Sequence, residues 1–432
     1  GDAQGAPLRV PVVVDTLPNG LVLIIHEDRT VPVVTTNVWY HVGSGDEKLG
    51  RTGFAHLFEH LMFMGSKNAP YPQFDRLLEA AGANNNGSTN GDRTNYYESG
   101  PASSLPLMLW LEADRLGWML ETMDAPKVDL QRDVVKNERR QSYENQPYGM
   151  AELLIQEALW PKDHGYHWST IGYPADLKAA NVTDVASFFR TYYVPNNATM
   201  VIAGDVKFAD VKRLVEKYFT FIPKASEPAR PQYKTPAPIT KEVVLTTTDD
   251  VQVPRVYLNW RGPAAFTPEE PALDALALIL GDGKSSRLYK RMVYDEKIAQ
   301  GVGASFQGEQ LAGMFQIVAT AKPGVDPKRL TAVLNEEIAK IAATPPTDAE
   351  LERAKNSQEA GFLNGLEPTL QRAIQLASYD VQAKDPDYFA KDLARRRAVT
   401  AQQVQAAAAK YLKQSARVTL TINPGKKPQE KK

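Results

Sequence analysis

The chain has 432 residues, of which 43% are hydrophobic and 23% are charged, and its formal net charge is −1. This length exceeds what one hydrophobic core usually organises, so at least two domains are expected. The charge gives no basic surface typical of nucleic-acid binding, and no apolar run is long enough to span a membrane. The chain contains no Cys, which excludes disulfides, zinc–thiolate sites and a cysteine nucleophile.

The first elements in chain order are strands. Residues 8–14 and 21–26 are rich in Val, Leu and Ile and flank a Pro-Asn-Gly turn, a pattern typical of a β-hairpin. Residues 33–42 predict a further β-branched and aromatic strand. A polar turn then leads into a predicted helix at about 53–64, which carries the most informative motif of the chain.

The motif is His-Leu-Phe-Glu-His at residues 56–60. On a helix, residues i and i+4 lie on one face, so the imidazoles of His56 and His60 can hold one metal ion. Glu59 lies close to the same face, where its carboxylate can reach a water molecule beside the metal. This is the His-x-x-Glu-His arrangement of metallopeptidase helices. Such short patterns also arise by chance, but two of only six His residues fall here among apolar neighbours.

The remaining first half alternates helices and short strands. The polar, Gly-rich stretch at 83–92 is a loop by composition alone, and residues 94–98 indicate a strand. Further helices are predicted at about 71–81, 103–122, 126–145, 150–159 and 182–193, followed by a strand at 198–203. Outside the motif, we interpret His41 as a structural residue, and His164 and His167 as structural or surface residues.

A Pro-rich linker divides the sequence nearly in half, since residues 222–238 hold five prolines and few apolar residues. The second half repeats the first. Each half ends in a helix with an aromatic residue near its end and then a β-branched strand, at 185–203 and 404–422. The helix predicted at about 269–280 matches the motif helix but contains no His. The sequence thus predicts two α+β domains of one design.

A third metal ligand is needed, because catalytic zinc usually has three protein ligands and one open position. Glu138 in the helix at 126–145 is a candidate, although its spacing alone does not distinguish it from other acidic residues on helix surfaces. The repeat supports it. Ser357 stands at the matching place in the second half, so the half without the His pair also lacks this carboxylate.

With these residues, the chain resembles the M16 family of zinc peptidases, which includes pitrilysin, insulin-degrading enzyme and mitochondrial processing peptidase. The resemblance covers nearly the whole chain and includes Glu138, which lies 78 positions after His60. Asn-Gly-Ser-Thr at 86–89 and the segments 192–197 and 285–289 match further family motifs. In length the chain is similar to the short bacterial M16 subunits, which pair two chains into a clamshell.

The resemblance implies a fold, a cofactor and roles for the motif residues. The fold would be α+β, with two homologous α/β-roll domains forming half of a clamshell. The domains are predicted at 1–222 and 241–432, with the linker at 223–240. His56, His60 and Glu138 would bind one Zn²⁺ per chain, and Glu59 would be the general base that takes a proton from the attacking water. The implied activity is hydrolysis of short or unfolded peptides in an enclosed chamber.

The resemblance also implies where the substrate binds. In the family, the stretch that contains Asn86, Gly87, Ser88 and Thr89 is an edge strand beside the zinc, to which a peptide adds as an extra strand through main-chain hydrogen bonds. Asn86 would contact the substrate backbone. Similarity to periplasmic short M16 members, and a chain that starts at Gly1 without Met, favour a processed periplasmic protein. Cytoplasmic and mitochondrial locations are alternatives.

Two departures from the family pattern carry information. Gln131 stands where many members have a Glu that supports the metal site. Val293 and Gln300 stand where the family has an Arg and a Tyr that complete the site from the second half, while Arg291 and Tyr294 are nearby but out of register. We therefore expect a heterodimer, in which a homologous subunit without the zinc motif supplies the Arg and Tyr. The alternatives are a homodimeric peptidase that uses Arg291 and Tyr294, and a non-catalytic core or assembly subunit.

Overall fold

The computed structural model of the protein describes residues 8–428, so the expected processed start lies outside the described part. The strands are β1 Val13–Thr16, β2 Val22–Glu27, β3 Val33–Tyr40, β4 Asn84–Thr89, β5 Thr94–Pro101, β6 Ala198–Gly204, β7 Val243–Asp249, β8 Arg255–Gly262, β9 Ala299–Gly308, β10 Gly313–Ala321 and β11 Arg417–Pro424. The helices are α1 Phe54–Leu61, α2 Gln73–Ala80, α3 Leu105–Trp118, α4 Ala125–Arg139, α5 Ala151–Leu159, α6 Pro174–Ala179, α7 Val182–Tyr192, α8 Phe208–Phe219, α9 Glu270–Gly281, α10 Pro327–Ala343, α11 Asp348–Gly365, α12 Thr369–Ser378, α13 Phe389–Arg397 and α14 Ala401–Tyr411.

These elements form two compact units, and each unit takes one segment from the other half of the sequence. The first unit holds the residues up to Glu138, Trp168–Tyr233 and Leu363–Ala390, and the second holds Arg139–His167, Lys234–Phe362 and the residues from Lys391 onward. The main boundary falls within the predicted linker at 223–240. The sequential division into 1–222 and 241–432 differs from this packing at two places, the segments that contain α5 and α12.

The exchange has a physical cause in the apolar faces of these two helices. Ala151 and Ile155 of α5 are buried against Tyr257 and Leu420 of the second sheet. Helix α12 packs on β3 and β6 of the first sheet. A helix with an apolar stripe is stabilised by any sheet face that covers it, so the order of elements along the chain does not determine which sheet receives it.

The first unit is built on a six-stranded sheet with the order β1-β2-β6-β3-β5-β4. Strands β2 and β6 pair in parallel and all other neighbours pair antiparallel. The predicted hairpin of the first two strands is confirmed. Strand β4 lies at the edge of the sheet, next to β5 alone, so one side of its backbone is free of strand partners.

The second unit repeats this topology. Its sheet has the order β7-β11-β8-β10-β9, with one parallel pair, β7 and β11, followed by three antiparallel pairs. This is the order and direction of β2-β6-β3-β5-β4 in the first sheet. The internal repeat and the α+β class predicted from sequence are therefore confirmed. The loop expected from composition at β4 is wrong, because hydrogen bonding to β5 extends the Asn-rich and Gly-containing segment into a strand.

A buried charge cluster ties the first sheet to α3. Arg115 is 1% exposed and its Nε donates to Glu112 at 3.0 Å, while its Nη2 lies 3.4 Å from Oε1 of Glu98 on β5. The guanidinium also lies over the ring of Tyr96, 4.6 Å from its centroid. Burial and the neighbouring Glu112 raise the pKa of Glu98 well above its usual range. One cation thus compensates two carboxyl groups in the core beneath β5.

Replacing Arg115 with Leu is expected to lower the free energy of unfolding by about 3–5 kcal/mol, because the buried carboxyl groups lose their cation. Urea denaturation followed by tryptophan fluorescence measures the change. The matched control is Arg213→Leu, which removes a 76% exposed partner of Asp210 and should leave the unfolding midpoint near that of the unmodified chain. Equal shifts in the two variants would contradict the role of the cluster.

Candidate metal centre

The motif residues lie on α1, an amphipathic helix. Phe54, Leu57, Phe58 and Leu61 are buried at the i, i+3, i+4 and i+7 positions that form one helix face. Phe58 packs on Tyr193 with a ring-centroid distance of 4.5 Å. Burial of this apolar face fixes the rotation of the helix about its axis. The side chains of the motif are therefore held in one direction.

The start of α1 is anchored by a buried carboxylate. Glu47 is 5% exposed, and its two oxygens accept hydrogen bonds from the backbone N–H groups of Gly53 at 2.7 Å and Ala55 at 3.0 Å. These are N–H groups that a helix cannot satisfy internally, and a carboxylate here also interacts favourably with the helix dipole. Burial raises the pKa of Glu47 well above its ordinary value, and the two backbone donors act in the opposite direction.

A second contact and a glycine complete this anchor. Thr52 donates from its backbone N–H at 3.0 Å and its hydroxyl at 2.7 Å to the carboxylate of Asp176. Gly53 has φ +81°, and a Cβ at this position would lie 2.9 Å from the carbonyl oxygen of Ile171. A larger residue would therefore push α1 away from the chain segment at 171–176. Sequence reasoning missed Glu47, although it is an acidic residue shortly before the motif helix.

The last turn of α4 brings Glu138 to the two histidines. Nε2 of His60 lies 3.3 Å from Nε2 of His56 and 3.2 Å from Oε2 of Glu138, and the third distance, from His56 to Glu138, is 3.5 Å. Val135, one turn earlier on α4, is fully buried and fixes this helix against the unit. Among residues 8–428, these three form the one group of His, Asp or Glu side chains that could hold a metal ion.

The triangle of ligand atoms has the size of a metal site. With ligand bonds of 2.0–2.1 Å in a tetrahedral arrangement, neighbouring ligand atoms lie about 3.3 Å apart. The three observed distances, 3.2, 3.3 and 3.5 Å, fall around this value. Two imidazole nitrogens that face each other at this distance repel unless a cation or a proton lies between them. The residues present thus fit a divalent metal with one coordination position left for a small ligand.

The ionisation of two of these groups suits metal binding. Burial lowers the pKa of His56 to about 4, so its imidazole is neutral near pH 7 and has a free lone pair. The hydrogen bond with His60 holds the pKa of Glu138 below its ordinary value, so its carboxylate is charged. Neutral imidazole and ionised carboxylate are the forms in which these side chains bind metals.

Glu59 lies next to the triangle and is oriented by the edge strand. Its carboxylate accepts a hydrogen bond from the hydroxyl of Thr89, and burial raises its pKa above the ordinary value. Gly87 allows this approach, because a Cβ there would lie 3.1 Å from Cγ of Glu59. The carboxylate thus lies between the candidate ligands on α1 and strand β4.

Strand β4 offers backbone groups at its free edge. The hairpin closes with a hydrogen bond from the N–H of Asn90 to the carbonyl oxygen of Arg93. Because antiparallel pairs alternate between bonded and non-bonded positions, the backbone groups of Asn85, Gly87 and Thr89 point away from β5. The N–H of Gly87 agrees with this, since it bonds to Oδ1 of the neighbouring Asn86 at 2.8 Å rather than to another strand.

The other residues singled out in the sequence have ordinary contacts. Gln131 donates to the sulfur of Met64 at 2.9 Å. His164 stacks on the ring of Trp160 at 4.7 Å, and Nδ1 of His167 lies 2.7 Å from the carbonyl oxygen of Trp160. These contacts of His164 and His167 are consistent with a structural role.

Comparison with known proteins places the chain in a family. The model described as "Insulinase (Peptidase family M16)" matches residues 22–167, and the model "Peptidase M16 inactive domain" matches residues 179–358. The zinc protease PqqE of Helicobacter pylori is 31% identical over 370 residues, which cover 85% of this chain and 83% of that protein. The chain belongs to the M16 peptidase family. The resemblance read from the sequence is confirmed.

Further relatives of this M16 chain match more than nine-tenths of it. The probable β subunit of the mitochondrial-processing peptidase of Arabidopsis thaliana is 25% identical over 418 residues, 92% of this chain and 76% of that one. The crystal structure of a protease from Helicobacter pylori has a TM-score of 0.90 and 28% identity, and the match covers 97% of this chain and 100% of that chain. The periplasmic protease PqqL of Escherichia coli shares the fold, with a TM-score of 0.79 and 19% identity over 48% of its chain. No helix within residues 8–428 is long and apolar enough to cross a membrane.

Replacing Glu47 with Ala is expected to lower the free energy of unfolding by about 1–3 kcal/mol, because two buried N–H groups at the start of α1 lose their acceptor. Glu47→Gln, which keeps one acceptor oxygen, should lose less. Thermal unfolding of the three chains measures the difference. As a matched control, Asn181→Ala removes the side chain that caps α7 at an exposed position and should cost less than Glu47→Ala. The opposite order would contradict the anchor.

Proposed function

We propose that this protein is a zinc metallopeptidase in which His56, His60 and Glu138 hold one Zn²⁺ and Glu59 is the general base. The observation that carries the proposal is the triangle of three ligand atoms at 3.2–3.5 Å with Glu59 on the same face of α1. Nitrogen and oxygen ligands of this kind suit zinc, and the chain offers no thiolate alternative. The names of several relatives, such as the zinc protease PqqE, support the same metal.

The reaction proposed is hydrolysis of a peptide bond. Bound zinc would lower the pKa of a water molecule and polarise the scissile carbonyl group. Glu59 accepts the proton of the attacking water, and Thr89 fixes the direction of its carboxylate. The same carboxyl group can then deliver that proton to the leaving amine. His56 and His60 are held for this task by the buried face of α1 and by the Glu47 anchor.

Strand β4 is the proposed binding place for the peptide. A substrate strand that pairs with the free edge would bond to the backbone groups of Asn85, Gly87 and Thr89 and replace the side chain of Asn86 on the N–H of Gly87. Ser88 and Thr89 complete this edge, and Thr89 links it to Glu59. Recognition through the main chain favours extended, short or unfolded peptides, since a folded protein rarely offers a free strand.

Glu59→Gln is expected to keep the zinc and to lower kcat by about 10²- to 10⁴-fold, because the base is removed while the ligands remain. Zinc content by atomic absorption and cleavage of a quenched fluorescent peptide measure the two effects. The matched variant His60→Ala should lose both zinc and activity. Full activity of Glu59→Gln would contradict the mechanism, and full zinc content of His60→Ala would contradict the ligand set.

A homologous partner subunit is proposed because the second half lacks the groups that would complete the site. Val293 is partly buried against the hydrophobic core of the second unit, and Gln300 is exposed at the start of β9. Arg291 is no free substitute, because it donates to Glu296 at 2.9 Å, to Glu337 at 2.8 Å and to Glu336. The homodimer alternative would therefore depend on Tyr294, which is 75% exposed, without its Arg.

The partner hypothesis predicts low activity for the single chain. Addition of a co-encoded homologue that lacks the His-x-x-Glu-His motif but carries the Arg and Tyr should raise kcat/KM by about 10²-fold or more, since donors to the developing oxyanion contribute that much. Peptide cleavage by each chain alone and by the mixture measures this. Full activity of the purified single chain would exclude the heterodimer. An inactive mixture with bound zinc would favour the core or assembly subunit.

The proposed location is the periplasm. The Escherichia coli neighbour PqqL is described as a periplasmic protease, and a chain without Cys suits an oxidising compartment. Fractionation of cells that express the natural gene tests the location.

A further inference from the structure

A cleft of about 750 Å³ opens in the first unit beside the start of β4. Five of the residues that line it are apolar, and they lie on β3, on β5, just before β3 and at the start of α12. These residues are Pro32, Val33, Pro101, Pro368 and Leu370. The lining contains no charged side chain. Of its three hydroxyl groups, those of Thr35 and Ser99 bond to each other at 2.8 Å, and that of Thr369 accepts from Nη2 of Arg372 at 3.4 Å. The cleft therefore presents mainly apolar surface.

The cleft lies on one defined face of the sheet. Thr36 and Glu98 point to the face that α3 covers, because Thr36 donates to Glu98 and Glu98 lies beside Arg115. Side chains alternate along a strand, so Thr35 and Ser99, which line the cleft, point to the opposite face. On β4, the amide of Asn85 reaches Asp75 of α2 at 3.0 Å, and the neighbouring Asn84 lines the cleft.

The same alternation connects the cleft with the edge of β4. A residue paired across from a strand position carries its side chain on the same face as that position. A peptide residue opposite Gly87 would point towards Glu59, whereas one opposite Asn84, three positions along the strand, would point to the face of the cleft. A single extended peptide on the free edge would therefore carry one side chain towards Glu59 and another to the face of the cleft.

From this placement we infer that the cleft is a specificity subsite for a large, uncharged apolar side chain of the peptide, three residues from the one that faces Gly87. The inference rests on the proposed binding of substrate at β4. The volume exceeds that of a single side chain, so an aromatic ring fits as well as Leu. Strand pairing through the main chain reads little sequence, and this cleft would supply a preference that the backbone contacts lack.

Leu370→Asp tests the subsite by placing a carboxylate in its wall. Quenched fluorescent peptides with one cleavage site carry Phe, Leu or Lys at successive positions, and the cut is located by mass spectrometry. At the peptide position three residues from the one that faces Gly87, the unmodified chain should prefer Phe and Leu over Lys. The expected preference is about tenfold in kcat/KM, as for burial of one apolar side chain. Leu370→Asp should reverse this preference towards Lys. The reversal should be absent at the neighbouring positions.

Two further variants serve as a control outside the cleft and as a second test inside it. Leu363→Asp makes the same change at a 39% exposed Leu that does not line the cleft, and its preferences should equal those of the unmodified chain. Val33→Asp places the charge on another wall of the cleft and should also shift the preference towards Lys. It replaces Leu370→Asp as the test if Leu370→Asp does not fold. A preference that neither cleft variant alters, or that Leu363→Asp alters equally, would overturn the subsite.

Binding separates this inference from the proposed reaction. Fluorescence anisotropy of the same peptides is measured with zinc-loaded Glu59→Gln, with and without Leu370→Asp. If peptides bind with the expected preference but neither the unmodified chain nor its mixture with the homologous partner cleaves any of them, the subsite stands and the peptidase proposal falls. If cleavage occurs and the preference does not respond to Leu370→Asp, the reverse holds. Absence of peptide binding would overturn both.

Discussion

Two backbone hydrogen bonds that one buried carboxylate accepts determine where the candidate metal centre lies. Glu47 binds the backbone at the start of α1, and the apolar face of that helix fixes its rotation. Together, these two contacts fix the position of the two histidines along the axis of α1 and their direction around it. A shift of one residue in the start of α1 would turn His56 and His60 by about 100°, away from Glu138. The buried carboxylate thus helps a short helix to hold His56 and His60 next to Glu138.

The sequence predicted the parts of the site that lie close together along the chain. His56, Glu59 and His60 follow from helical spacing alone, because i and i+4 residues share a face. Glu138 lies 78 positions from His60, and only the internal repeat and the family resemblance selected it among many acidic residues. Glu47 was missed because its role depends on the free backbone N–H groups of Gly53 and Ala55, which exist only because α1 begins at Phe54. Propensity likewise failed for β4, since Asn and Gly favour turns and the pairing with β5 overrides that preference.

The fold was predicted at the level of its repeat and not at the level of its packing. Equivalent strands in the two halves revealed one design, and both sheets have that design. The exchange of α5 and α12 between the halves could not be predicted from the sequence. The apolar stripe of an amphipathic helix indicates that this face is buried, but it does not indicate which sheet covers it. Each unit therefore depends on a segment from the other half of the sequence, and neither half alone contains a complete unit.

The composition of β4 has a consequence for the behaviour of the chain in solution. An unpaired strand edge is a general hazard, since it invites association with other copies and with misfolded chains. Here the edge is short, rich in Asn and interrupted by Gly87, and the side chain of Asn86 already occupies one exposed N–H group. These features weaken pairing between two identical edges while leaving the backbone accessible. The composition of β4 thus limits edge-to-edge association while its backbone groups stay accessible.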